Sequence, residues 1–311
     1  MSWLLAILCL SVLIIIHEYG HYACARIGGM HVDRFSVLGI GPVLLRLGTY
    51  KGTEFVISAI PFGAYVHIVG MEPEEDEKEL AKREEEDPEG VAKEREARAA
   101  AAERAKEMGY KDFRDASMAG RVLAIFGGPL ANYVTAMILA VGVFTFAGVP
   151  DSVSIDSFAL TSKADDACLK VGDVLVSIAG ESVQGPGPIG KVVAAGSAHP
   201  GEDVEVVVLR DGVEVKKTVP VSDEGRLGIG LAEVLEPTDA GSAIPRGLAY
   251  PFVTTAQQLA ALSQVITRKS KQRMGGPVEI ARVMKKRGEG GFAQFMLVCA
   301  LISTALGMFN L

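Results

Sequence analysis

Between Trp3 and Ile16 the chain carries no charge, and apolar character resumes after Gly20 and runs to Cys24 and Ala25. About 20 apolar residues, at roughly 1.5 Å of rise each, cross the hydrocarbon of a bilayer as a helix. This stretch therefore commits the N-terminal end of the chain to a membrane. Into it the sequence inserts His17, Glu18 and His21, in the order H-E-x-x-H. Ionisable groups at that depth cost a few kcal/mol, roughly, and mark a functional site unless something offsets them. On a helix the two histidines lie four apart on one face and suit a shared metal ion, with Glu18 beside them as a general base. A structural metal and a proton relay are the alternatives that these residues leave open. A cleaved signal peptide is disfavoured, because no Lys or Arg precedes the apolar run and no small-residue cleavage site precedes the polar cluster.

Composition agrees with a membrane protein that has soluble parts: 49% of the 311 residues are hydrophobic and mean hydropathy is positive. A net charge of −7 gives nucleic-acid binding no electrostatic support. The cysteines, Cys9, Cys24, Cys168 and Cys299, are too scattered for a CxxC site or a disulfide framework. Cys24 follows His21 by three residues on the same face, where a thiolate ligand competes with simple packing between helices; packing is the stronger reading.

Residues 27–70 are rich in Gly and β-formers, and the alternation over 53–60 and 64–69, broken by Gly-Pro and Pro-Phe-Gly, reads as hairpin strands. Their apolar faces are large for a loop, so the strands are expected to lie against the membrane domain or dip into it. His31 and His67 have no partner at ligand spacing and read as ordinary residues. Residues 72–108, mostly Glu, Lys, Arg and Ala, read as a solvated helix or a disordered insert without a catalytic role, with a break at Pro88-Glu89-Gly90.

A second apolar span covers 122–147 and contains GGPLAN at 127–132. Gly127 and Gly128 allow close helix approach, Pro129 weakens the local hydrogen-bond ladder, and Asn132 either faces the metal site or bonds a neighbouring helix. Residues 150–221 have the pattern of a soluble β-rich module, with a hairpin around Asp211-Gly212 and a strand edge suited to accepting a peptide. Two amphipathic helices are expected over 250–269 and 277–286, at the membrane surface or packed on the soluble module. A third apolar stretch, 292–311, ends in mid-span and reads as a truncation. Arg26, Arg34, Arg46, Arg114 and Arg121 flank the first two spans on their shared side, which the positive-inside tendency makes cytoplasmic. The module after Ala147 is then periplasmic or exterior.

These features occur together in a recognisable order. HEYGH is followed by Gly39, Gly41 and Pro42, then PFGAYV, GGPLAN, an inserted module with VGDVLVSIAG, and MGGPVEIA before a span ending LGMFNL. Over almost its whole length the chain resembles the site-2 protease family of intramembrane zinc metalloproteases. The resemblance implies a multi-span α-helical membrane protein with a membrane-associated β-hairpin region and an inserted β-rich PDZ-like domain. The parts would be a first span with HExxH (1–26), the hairpin region (27–71), a charged cytoplasmic insert (72–117), a second span (118–148), the PDZ-like domain (149–235), amphipathic helices and linker (236–291) and a truncated third span (292–311).

By the same resemblance His17 and His21 match the zinc ligands and Glu18 the catalytic base. Asn310 matches the first residue of the family's N-x-x-P-x-x-x-L-D-G motif, whose Asp, the third ligand, falls beyond Leu311; a chain ending there is expected to be inactive. Asn132 and Asn310 are the residues for substrate or oxyanion contacts. The implied activity is regulated cleavage of a membrane-spanning substrate, such as an anti-sigma factor already trimmed on its outer side, in a bacterial inner membrane. The strands over 34–69 would present that substrate as an added strand, and the PDZ-like domain would bind a peptide or protein partner. Two rival classes are a non-catalytic PDZ-containing membrane scaffold and a metal transporter. The second is disfavoured, because the other spans offer few carboxylates.

Overall fold

The computed structural model describes residues 3–60, 63–71, 78, 80–81, 84, 88–159, 168–266 and 291–310. The chain forms two compact units, residues 1–140 with 248–311, and residues 141–247.

Among the described residues, three helices are long and apolar enough to cross a membrane: α1 (Trp3–Ile27), α3 (Met118–Phe146) and α6 (Phe292–Phe309). Between α1 and α3 (α2 lies in the charged segment described below) the backbones touch. A Cβ on Gly20 would sit 2.3 Å from the Gly127 carbonyl oxygen, and one on Gly127 would sit 2.5 Å from that of Gly20. Small residues allow this approach, which brings main-chain dipoles and dispersion contacts to bear where no hydrophobic effect drives association. Against α6, α1 buries Ala6, Leu10 and Leu13 on Phe295, Val298 and Ile302. The Sγ atoms of Cys9 and Cys299 lie 2.8 Å apart in this seam.

After α1 the chain makes four strands, β1 (Val32–Leu38), β2 (Ile40–Tyr50), β3 (Thr53–Ile60) and β4 (Tyr65–Ile68). Their order is β2-β3-β1-β4. The segments 53–60 and 64–69, which the alternation predicts as hairpin strands, form β3 and β4, but these do not pair with each other. Instead β3 runs antiparallel to β2 and parallel to β1, and β4 runs antiparallel to β1, so the sheet is mixed rather than a set of hairpins. Its inner face fixes it to the end of α1, where Tyr22 and Ala25 pack on Val32, Phe35 and Ile68. The outer strand β2 leaves Leu44, Leu45 and Leu47 exposed. Helix α2 (Pro88–Glu107) carries the charged segment. Pro88, Glu89 and Gly90, where the sequence suggests a break, lie within that helix. Most of residues 72–87 and the expected helix over 277–286 lie outside the described residues. In the same unit, the part of α5 (Ala240–Ile266) from Leu248 onward packs on α3, with Tyr133 Oη 2.6 Å from Thr255 Oγ1.

The second unit holds an antiparallel sheet in the order β10-β5-β6-β8-β9, made of β5 (Val149–Phe158), β6 (Val174–Ile178), β8 (Asp203–Arg210), β9 (Val213–Pro220) and β10 (Ile229–Glu236). The short β7 (Glu181–Ser182) pairs with β6. Helix α4 (Pro188–Ala198) supplies Val192 and Ala195 to a core with Val153, Ile155, Leu175, Ile178, Val206 and Val208. Asp211 and Gly212 both have positive φ, 51° and 80°, as the two-residue turn between β8 and β9 requires. Asp173, 2% exposed, receives both Nε and Nη2 of Arg210, each at 2.7 Å, and the Lys170 N–H at 2.8 Å.

Candidate metal centre

The site begins with helical geometry. Positions four apart on α1 stack one above the other, and the Nε2 atoms of His17 and His21 come within 3.2 Å of each other. His17 is buried. The Nδ1 of His21 lies 2.8 Å from the Ala124 carbonyl oxygen on α3. A carbonyl only accepts, so Nδ1 carries the hydrogen and Nε2 keeps its lone pair. The Nδ1 of His17 lies 3.1 Å from the Asn132 carboxamide, also on α3.

These atoms fit a divalent metal. Two imidazole nitrogens bound tetrahedrally at about 2.0–2.1 Å stand roughly 3.3 Å apart, close to the separation found. The space beside them is kept open by a glycine. A Cβ at Gly128 would fall 2.3 Å from His21 Nε2 and 2.6 Å from His17 Nε2, nearly where a shared ion would sit. The sequence reading assigns Gly127 and Gly128 together to helix approach. Gly127 has that role, whereas Gly128 clears the space between the imidazoles. Among the described residues, no group of three His, Cys, Asp or Glu side chains converges on one point, so the site as described supplies two metal donors.

Glu18 is half-buried beside them, and the backbone N–H of Val66 in β4 bonds to its carboxylate. A cavity of about 270 Å³ is lined by Ile14, His17, Glu18, His21, Leu306 and Asn310. Asn310 reaches it as the C-terminal cap of α6. Asn132 is fully buried and does not line this cavity; it stands behind His17 instead. Its backbone carbonyl accepts a hydrogen bond from Ser303 Oγ of α6 at 2.9 Å. Nothing in the sequence singles out Ser303, since a serine in an apolar helix commonly bonds its own backbone.

The other histidines and Cys24 stand apart. His67 pairs with Asp33. His31 is 2% exposed in the first unit, and burial holds its imidazole below the ordinary range against the opposing pull of Asp33. Cys24 is buried where α1 meets α3, its Cβ within 2.8 Å of where a side chain on Gly127 would begin, a packing position.

Comparison with known proteins gives this geometry a lineage. Residues 5–311 match the profile of Peptidase family M50. A protein of Rickettsia conorii named "Putative zinc metalloprotease" is 28% identical over 321 residues, covering 98% of this chain and 82% of the relative. One of Agrobacterium fabrum with the same style of name is 29% identical over 327 residues, covering 98% and 80%. A third, from Clostridium perfringens, is 26% identical over 312 residues, covering 98% and 82%. With a match that leaves out four residues at one end, the chain belongs to peptidase family M50, the site-2 protease family.

Proposed function

We propose that this protein is a zinc-dependent intramembrane endopeptidase that cleaves a single-span membrane protein of the anti-sigma-factor type. The observation that carries the reading is the pair of Nε2 atoms 3.2 Å apart, opening on the cavity that Glu18 also lines. His17 and His21 hold the zinc. Zinc, when bound, supplies Lewis-acid activation of water and of a peptide carbonyl. Glu18 takes a proton from the attacking water and returns it to the leaving amine, and the Val66 N–H orients its carboxylate. Asn310, on the cavity wall, donates to the carbonyl oxygen as negative charge develops there.

A helical peptide bond is shielded by its own hydrogen bonds, so the substrate must be unwound at the point of cutting. The four-stranded sheet receives it as an added strand, and β4 is the edge nearer Glu18. The second unit acts as a PDZ-like module. Its edge strand β10 runs beside α4, a setting in which a peptide can add to the sheet against a helix. The protein sits in the bacterial inner membrane with Arg26 and Arg121 on the cytoplasmic side and the β-rich unit in the periplasm.

The test uses the full-length chain, reconstituted with zinc and a single-span substrate. Wild type cleaves it; Glu18→Gln keeps its zinc and loses roughly 10²–10⁴ in rate. Turnover by the Gln variant at the wild-type rate would remove Glu18 from the chemistry.

A further inference from the structure

Asn132 lies fully buried in the second span with its carboxamide on His17 Nδ1, and its Oδ1 has no hydrogen-bond partner among the described residues. The carboxamide has two ways to meet the ring. With Nδ2 toward His17, the orientation seen at 3.1 Å, it donates to a bare Nδ1, which leaves the ring hydrogen on Nε2. With Oδ1 toward His17 it accepts from Nδ1–H, which leaves Nε2 with its lone pair. Only the second arrangement serves a metal, and it also gives the buried Oδ1 a partner. The two arrangements interconvert by a half-turn about the Cβ–Cγ bond.

The neighbouring ligand needs no such choice. His21 Nδ1 faces the Ala124 carbonyl, which accepts and cannot donate, so its tautomer is fixed by main chain. His17 also bonds main chain, at Gly128, but its Nδ1 meets a side chain, the Asn132 carboxamide, which can present either a donor or an acceptor. The backbone that carries it is tied to α6, where Ser303 donates to the Asn132 carbonyl at 2.9 Å.

We infer that Asn132 is a positioning residue: its carboxamide oxygen fixes His17 as the Nδ1–H tautomer and thereby readies Nε2 for the metal. This rests on the zinc reading of the site given above. It differs from a substrate or oxyanion role, which would require the carboxamide to reach the cavity.

The experiment measures zinc affinity by chelator competition on the full-length protein, with no substrate present. Outer-shell partners of metal-bound histidines are worth roughly 10–100-fold in affinity, so Asn132→Leu is expected to weaken zinc binding by that factor. Asn132→Asp, which keeps an acceptor and loses the donor, is expected to bind at least as tightly as wild type. A Leu variant with wild-type affinity, or an Asp variant as weak as Leu, overturns the inference. A packing role alone would not separate the two variants in that direction. Should either variant fail to fold, the wild type answers alone. In zinc-loaded protein with 15N-labelled histidine, His17 Nδ1 must carry a slowly exchanging proton that cross-relaxes with the Asn132 side chain; a bare Nδ1 overturns the inference. A wild type that takes up no zinc would remove the proposed function itself, whereas zinc-binding wild type beside an equally tight Leu variant removes the role of Asn132 only.

Discussion

Gly128 shows how one missing side chain sets up chemistry. Its hydrogen faces two imidazole nitrogens at distances where even a methyl group would intrude. Gly128→Ala is therefore expected to lower zinc affinity at least about tenfold and to cost about 1–3 kcal/mol of stability by overpacking, read by metal titration and thermal unfolding. A variant with full zinc occupancy would show that the ion lies elsewhere. The histidine pair was legible in the sequence because its geometry is local, four positions on one helix. The work of Gly128 was not, because the atoms it spares belong to residues more than a hundred positions earlier. Asn132 was legible as a polar residue in a span, but its partner was not, and Ser303 gave no signal.

Pairs of elements carry the next two predictions. The Cys9 and Cys299 thiols touch across the α1–α6 seam, closer than two unbonded sulfurs usually pack. Copper-phenanthroline oxidation is expected to join them, seen as loss of two alkylatable thiols and one linked pair of peptides by mass spectrometry. Cys9→Ser abolishes the link, and an uncrosslinked wild type would mean that the seam is wider. In the second unit, burial alone would raise the Asp173 carboxyl, but the Arg210 guanidinium and the Lys170 N–H outweigh it and hold it below the ordinary carboxylate range. An acid that is stronger folded than unfolded stabilises at neutral pH, and that contribution fades as pH falls from about 4, the unfolded value, through the folded one. Arg210→Ala leaves the Asp173 carboxylate without its guanidinium and should lower stability near pH 7. The loss should shrink in acid, followed by hydrogen exchange of the β6 and β8 amides corrected for intrinsic rate. Equal losses at both pH values would remove the ion pair from the account. Hairpins such as β8–β9 were legible from the Asp-Gly turn. The parallel β1–β3 pairing was not, because period-two alternation tells which residues face inward but not which strand lies alongside.

At the scale of the molecule, the three apolar helices among the described residues were legible because a bilayer demands length and composition that soluble folds seldom need. The orientation proposed from the arginines has a direct check. Cys168 is exposed in the β-rich unit, whereas Cys24 and Cys299 are buried in the spans. A membrane-impermeant maleimide added to spheroplasts is expected to label Cys168 and to spare the other three. Labelling only after lysis would invert the topology.

The contact between Gly20 and Gly127 also bears on when the protein can acquire its metal. Synthesis adds roughly 5–20 residues per second, so several seconds or more separate the emergence of His21 from that of Ala124 and Asn132. Through that interval the two imidazoles have neither the carbonyl nor the carboxamide that orders them. A nascent chain halted before its second span should hold zinc poorly, and loading should rise only once that span has inserted alongside the first. Maturation of the centre would then keep time with membrane insertion.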